Sequence, residues 1–360
     1  MPVGRNTASA ASGDGQHDRG AKVTIEQVAQ IAGVSTATVS RVINGHPDVS
    51  SATRSEVLRH ARELGYVNLR ASSLDSTNRL GLVALSVADI REPRIGEVVT
   101  GAASALRERR ARLVVCPPAE NGSESLRERL LEGTTNGAII IQPRDEVLQL
   151  MELKRQHFPF VVVEPTMPLD SSLTAVMISS WAGAKMATDY LVGLGHIHIG
   201  LITGPSDWRV TADRLAGYQA ALLTAGLPLV PHLVRESDLT LEGGQTETAK
   251  LLGLPNPPSA VFALSDGMAV GALKAVRNRG SEVPRDISVV GFGDSEIASV
   301  TTPPLTTVHE PLQGLGRVAA DMIWKLMQGQ QLDAPRMELS TTLAIRDSTG
   351  RPRGTSFLTM

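Results

Sequence analysis

One cysteine, Cys116, serves a chain of 360 residues. That count excludes an internal disulfide framework and fits a reducing compartment. Its place after Leu113, Val114 and Val115 predicts a buried structural thiol. Aromatic residues make up 3% of the chain, so a ligand site that stacks on rings has few to draw on. No apolar run is long enough to span a bilayer. The first residues, MPVGRNTASAASGDGQHDRG, lack the apolar stretch of a secretory signal and read as a disordered tail, 1–20. The expectation is a cytoplasmic chain with no membrane partner. Net charge is −2, so no bulk basic field points to nucleic acid. Residues 1–79 hold 9 Lys+Arg against 7 Asp+Glu, and the remainder 26 against 30. Any DNA affinity must come from local placement and from doubling in a dimer.

Catalytic signatures are also scarce. Gly291-Phe292-Gly293 lacks the third glycine of a dinucleotide fingerprint. There is no Walker lysine, no GxSxG elbow and no context for a catalytic cysteine. His196 and His198 are two apart, which in a strand would put them on one face. No third ligand stands near at metal spacing, so a packing site is expected there rather than zinc. The reading is a non-enzyme with no cofactor and no metal.

What is present begins at VTIEQVAQIAGVSTATVSRVIN, Val23 to Asn44. Thr24 with Gln27 three residues on is a capping-box spacing. Ile25, Val28, Ala29, Ile31 and Ala32 form an apolar helical face. Gly33 permits the turn, and Ser35 is a second N-cap. The next helix turns Val39, Val42 and Ile43 inward and leaves Thr36, Ala37, Ser40, Arg41 and Asn44 on a small, polar face. Two short helices across a glycine turn make either a plain helical hairpin or a helix-turn-helix for the DNA major groove. Arg41 has the fork for a bidentate contact to guanine. The wording AGVSTATVSRVIN resembles the DNA-reading segment of the LacI/GalR family of bacterial transcription regulators. A third helix follows from Ser50 or Ser51, with Val57, Leu58, Ala61 and Leu64 on one face. Arg54, Arg59 and Arg62 near its surface suit either phosphate contact or a solvated face.

Tyr66 to Arg79, YVNLRASSLDSTNR, is too polar to hold a core alone and reads either as a plain linker or as a hinge. It resembles the family's hinge, in which a leucine from each subunit wedges into the minor groove. Ala71 and Leu74 match its alanine and wedge leucine. The family's Tyr-x-Pro-Asn is here Tyr66-Val67-Asn68, one proline short. The resemblance thus implies a DNA-binding set of Thr24, Ser35, Thr36, Ala37, Thr38, Ser40, Arg41, Asn44, Tyr66, Asn68, Ala71 and Leu74.

From Leu80 the pattern changes to short apolar runs, LGLVALS, RLVVC, GAIII, PFVVV, TAVMI, HIGLI, AVFAL and ISVVGF, alternating with amphipathic segments. Continuous apolar strands between helices mean parallel sheets covered on both faces. Roughly 265 residues of this exceed one doubly wound sheet, so two subdomains are expected, with ligands bound beyond the carboxyl ends of their strands. GLGHIHIGLITGP, DRLAGYQAAL, FALSDGMAVGALKAVRNRG, PRDISVVGFGDSE, TPPLTTVHEPLQGLGRVAADMI and LAIRDSTGRP are similar to the same family. The resemblance implies an α/β, periplasmic-binding-protein-like effector domain of two doubly wound parallel-sheet subdomains, joined to a three-helix headpiece. The predicted division is 21–66 for the headpiece, 67–79 for the hinge and 80–350 for the effector domain, with a tail at 351–360. Within the effector domain the N-subdomain takes about 80–178 and 309–340, and the C-subdomain 179–308 and 341–350. The three crossovers fall near Ile178, Val308 and Ser340.

Matching positions imply an effector cleft built from Asp89, Arg94, Glu164, Trp208, Arg214, Leu239, Ser265, Asp266 and Asp294. Arg214 stands at the family's ligand clamp and is expected to pair with Asp89, Glu164, Asp266 or Asp294 when no ligand is present. Carboxylates beside an arginine suit a polyhydroxyl ligand. The chain departs from the family in several places. Arg94 and Ile95 stand where sugar binders often have aromatics, Leu239 replaces another, Ser265 replaces an asparagine, and Gly293 replaces an aspartate. Trp208 and Trp181 either compensate for the lost rings or pack. Arg94 also suits an acidic or phosphorylated ligand.

The expected function is a ligand-responsive transcriptional regulator, a repressor that binds a palindromic operator as a homodimer under control of a sugar or sugar phosphate, in the cytoplasm on the nucleoid. An activator of the same fold, answering to an acidic ligand or a protein partner, is the alternative. An exported solute-binding protein would share the cleft but has no use for a helix-turn-helix. An enzyme on a doubly wound sheet would need the motifs that are missing.

Overall fold

The computed structural model describes residues 23–43, 49–64, 81–87, 92–116, 126–131, 135–143 and 147–353. The chain divides into two compact units, 1–79 and 80–360. No described helix is long and apolar enough to cross a membrane.

The first unit holds three helices, α1 (Ile25–Ile31), α2 (Thr36–Ile43) and α3 (Ser51–Glu63). Gly33 turns the chain between α1 and α2 at φ +64, a conformation in which a Cβ is strained. Their small core joins Val28 and Ala29 of α1, Val39 and Val42 of α2, and Val57 and Ala61 of α3. Ser50 caps α3 by accepting the Thr53 N–H at 3.2 Å. Ile31, expected on the inner face of α1, is exposed. It ends the helix one turn beyond Val28, where the core has already closed.

The second unit carries two six-stranded sheets. The first contains β1 (Gly81–Val87), β2 (Ala111–Cys116), β3 (Gly137–Ile141), β4 (Phe160–Val163), β5 (Ala175–Ile178) and β11 (Arg336–Leu339), in the order β11-β5-β4-β3-β1-β2. The second contains β6 (Ile199–Thr203), β7 (Val234–Glu236), β8 (Ala260–Ala263), β9 (Ser288–Gly293), β10 (Thr306–His309) and β12 (Thr342–Ala344), in the order β12-β10-β9-β8-β6-β7. Every pairing is parallel except β10 with β12, which is antiparallel. The chain passes from the first sheet to the second after β5, returns after β10, and crosses again between β11 and β12.

Helices cover both faces of the first sheet. Ala138 and Ile140 of β3 pack with Leu126 and Leu130 of α5 (Leu126–Leu131) and with Leu150 and Leu153 of α6 (Val147–Arg155). Gly137 of the same strand faces Ile323 and Met327 of α12 (Leu312–Met327), which lies against α4 (Pro93–Glu108). On the second sheet α7 (Ser180–Gly193) packs on α8 (Arg209–Thr224), and α9 (Leu241–Leu252) on α10 (Asp266–Asn278). A short α11 (Glu296–Val300) follows β9.

The eight apolar runs are all strands. Four further strands, β7, β10, β11 and β12, have mixed or short sequences that carry no such signal. Cys116 ends β2 on the sheet edge and is half-buried rather than buried, with Val114 and Val115 exposed beside it. An edge strand covered on one side only cannot bury every residue.

Candidate functional site

In the first unit the caps aim the second helix. The Thr24 N–H donates to Gln27 Oε1 at 2.9 Å. Ser35 Oγ accepts the Thr38 N–H at 3.0 Å and lies 2.8 Å from Thr38 Oγ1. Ser35 and the half-buried Thr38 therefore fix the start of α2. Val39 and Val42 face the core, while Thr36, Ala37 and Arg41 are exposed and Ser40 half-exposed. This presents a short polar face with small residues leading and one arginine a turn later. Asn44, Tyr66, Asn68, Ala71 and Leu74 lie outside the described residues.

In the second unit Arg214 is the most constrained cation. Its Nη1 donates to the Leu264 carbonyl at 2.7 Å, its Nη2 to Glu310 Oε1 at 2.8 Å, and its Nε lies 3.4 Å from Ser180 Oγ. The guanidinium sits 3.5 Å from the centre of the Phe292 ring, a cation–π contact. Burial pushes its pKa down to about 10 against the pull of Glu310, so it stays charged near neutrality. None of the four expected partners holds it. Asp89 lies outside the described residues, and Glu164, Asp266 and Asp294 bond elsewhere. Glu310 follows β10, a strand that the apolar-run reading overlooked, and so the end of that strand offered no residue to consider.

Arg94, the second residue of α4, donates from Nη2 to the same Glu310 oxygen at 2.8 Å. A cavity of about 30 Å³ adjoins it. From the side of the first sheet it is lined by Arg94, Gln142, Glu164 and Thr166, and from the other by Ser180, Trp208, Arg209 and Asp213. Thr166 accepts the Arg209 N–H at 3.0 Å across this gap. Space of this size suits about one water, so the two halves stand closed together. Glu164 Oε1 accepts the Ile178 N–H at 2.6 Å. Burial raises its pKa, with Arg94 opposing.

Gln142 and Glu164 end adjacent strands β3 and β4, and both have φ +50. Leu239 (φ +66) and Asp294 (φ +53) follow β7 and β9 in the same left-handed region. Strain in non-glycine residues concentrates where side chains are being aimed.

The remaining predicted residues are placed differently. Ser265 caps α10 by accepting the Met268 N–H at 3.2 Å. Asp266 is buried and accepts from the Ser295 N–H at 2.7 Å, the Ser295 hydroxyl at 2.8 Å and the Thr307 hydroxyl. Burial raises its pKa against those bonds. Asp294 pairs with Arg346 at 2.6 Å and His309 at 3.0 Å. Leu239 packs on the core of the second sheet. None of these four lines the cavity. Gly293 has φ +132, and a Cβ there would come within 3.2 Å of Asp266 Oδ2 and 3.7 Å of Glu310 Oε2. The acid that the family keeps at this position would crowd two carboxylates already present. Trp181 is exposed on α7 and does not line the cavity.

His196 and His198 precede β6 and do not share a face. His196 is buried between Ser259 and Ser288 and the Gly350 carbonyl, while His198 is exposed. Burial lowers the His196 pKa. Sequence reasoning missed Glu310, Gln142, Thr166, Ser180, Arg209 and Asp213. Arg209 and Asp213 flank residues that were singled out, and the strand-end rule applies to Gln142 and Glu310 once β3 and β10 are known.

The family model of bacterial regulatory proteins of the lacI family matches residues 24–68, and that of a periplasmic binding protein-like domain matches residues 188–349. The chain is 35% identical over 346 residues to the HTH-type transcriptional regulator CelR of Thermobifida fusca, covering 92% of this chain and 99% of that one. It is 34% identical over 337 residues to the ribose operon repressor of Escherichia coli, covering 90% and 99%. The HTH-type transcriptional repressor CytR of the same organism is 32% identical over 328 residues, covering 91% and 96%. Among solved structures, the CelR–cellobiose complex superposes with a TM-score of 0.68 at 35% identity, covering 91% of this chain and 99% of that one. The lac repressor dimer bound to operator and the anti-inducer ONPF gives 0.68 at 28% identity, covering 92% and 100%.

Proposed function

The chain belongs to the LacI family of bacterial regulatory proteins, and from that premise we propose that it is a repressor whose homodimer binds a palindromic operator and answers to a carbohydrate in the cleft between its two sheets. It is a ligand-regulated DNA-binding regulator. The observation that carries the finer reading is the closed cleft. Arg94 on α4 and Arg214 on α8 meet there on one carboxylate, so the two halves are joined through groups that a ligand can compete for. Relatives named for cellobiose and ribose support a sugar as that ligand. The division proposed above follows the same reading: headpiece 21–66, hinge 67–79 and effector domain 80–350, acting in the cytoplasm.

In this mechanism the exposed face of α2 enters the major groove and Arg41 reads a base edge. A dimer sets two such helices about one turn, ~34 Å, apart. Leu74 wedges the minor groove at the palindrome centre. A ligand that changes closure of the cleft changes the pairing of the two subunits, and so couples the two sites.

The test has two parts. Selection of binding sequences from random DNA by the full-length chain is expected to return a palindrome of two half-sites. Cellobiose, ribose and a panel of other sugars are then screened by thermal shift, since a ligand of the folded state raises Tm, and each hit is added to the operator complex. Selection of a single half-site would defeat the dimeric reading. A protein whose operator affinity no stabilising sugar alters is not controlled from this cleft by carbohydrate.

A further inference from the structure

Both arginines of the cleft converge on one oxygen. Arg94 Nη2 and Arg214 Nη2 each stand 2.8 Å from Glu310 Oε1. The Glu310 side chain is 1% exposed and that of Arg214 6%. Arg209, the third cation at the cavity, is held by Asp213 at 3.0 Å. Among the described residues around the cavity, every guanidinium therefore already has a carboxylate, and Glu164 adds a further acid. What remains unsatisfied is a neutral hydrogen-bonding opportunity, the buried Arg94 Nε, which has no partner.

We propose that Glu310 determines the ligand class of the cleft: by occupying Arg94 and Arg214 together it fits the site to an uncharged polyhydroxyl ligand and shuts out its phosphorylated or carboxylated counterpart. The inference rests on the cleft being the effector site. It reverses what Arg94 suggests when read alone, because an arginine selects anions only when its charge is unspent. A phosphate entering here must draw a guanidinium away from Glu310, and that strands a buried carboxylate without its partner. A sugar hydroxyl needs no such exchange. It accepts from Arg94 Nε and leaves the ion pairs in place.

Inorganic phosphate is the probe, titrated into the full-length chain at constant ionic strength and followed by Tm and by calorimetry. The wild type is expected to show no saturable binding. Glu310→Gln keeps the length and one acceptor oxygen but drops the charge. It should gain a saturable phosphate site, tighter than any wild-type binding by roughly tenfold or more, and lose it again when Arg94→Ala is added. Glu310→Asp keeps the charge and should behave as the wild type. Three results overturn the proposal. They are saturable wild-type binding that Arg94→Ala removes, a folded Glu310→Gln that ignores phosphate, and a Glu310→Asp that gains the site as Glu310→Gln does. Should Glu310→Gln fail to melt cooperatively, the wild-type and Glu310→Asp titrations decide on the same terms. Operator selection by the wild type is read independently, so a failure of the regulator reading is distinguishable from a failure here.

Discussion

Arg214 gives its guanidinium to the Leu264 carbonyl, the Glu310 carboxylate and the face of Phe292, so an alanine removes three contacts together. Arg94 would still hold Glu310, and the expected loss of stability is about 2–4 kcal/mol, toward the lower end of what breaking a buried pair costs. Operator binding without ligand should survive below the lowered Tm, while the response to sugar disappears. A response of normal size would leave Arg214 as support for α8 alone. Arg41, exposed on α2, is expected to read a base. Arg41→Ala should cost about 1–3 kcal/mol at the selected operator and relax preference at one position; equal losses on selected and random DNA would make it a phosphate contact. Burial holds the Glu164 pKa above its ordinary value. The folded chain then binds that proton more tightly than the unfolded chain, so this group's contribution is most favourable below the ordinary carboxylate range and declines as pH rises through the raised pKa. Glu164→Gln should flatten that part of the stability–pH curve in urea titrations. A variant curve parallel to the wild type's would remove Glu164 as its source.

At the level of elements, the helix pair α4 and α12 meets through glycine. A Cβ on Gly316 would fall on the Val98 carbonyl oxygen, and one on Gly101 on that of Gln313. Backbone cannot move aside as a long side chain can. Gly316→Ala should therefore push the helices apart and cost about 1–3 kcal/mol, as overpacking does, seen as a lower urea midpoint at unchanged m-value. A midpoint equal to the wild type's would mean that the pair has slack. Because α4 carries Arg94 near its start and α12 begins two residues after Glu310, the same variant should also loosen the closed cleft. The strands aim the rest of the site. Gln142 and Glu164 take left-handed backbone at the ends of β3 and β4, which turns both side chains to the same opening.

Over the whole molecule the second unit is a pair of sheets threaded by three passages of the chain, so motion of one half against the other bends three strands of backbone rather than one. Closure is maintained by a few bonds, the Thr166–Arg209 contact and the two arginines on Glu310. A cavity of about 30 Å³ leaves no room for a sugar in this arrangement. Ligand entry must therefore begin with opening, and the ligand's differential affinity for open and closed forms sets how far it can shift the equilibrium. The first unit has a small core of its own from α1, α2 and α3, as expected of a headpiece that engages DNA while the cleft domains bind ligand.

The sequence by itself determined the local features. Ser35 and Gly33 mark the turn between α1 and α2 because capping and positive φ depend on residues within a few positions. The eight apolar runs are strands because burial on both faces requires continuous apolar sequence. The family was legible in AGVSTATVSRVIN and in the motifs from Gly193 onward. The tertiary structure alone decided the partners. Glu310 lies 96 residues from Arg214 and 216 from Arg94, and nothing local to TTVHEP distinguishes it from an exposed acid. Asp266 and Asp294, chosen by position in a motif, are instead bound to Ser295 and Thr307 and to Arg346 and His309. Charges pair with whatever the packed sheets bring within reach, and that distance is set by the fold and not by spacing along the chain.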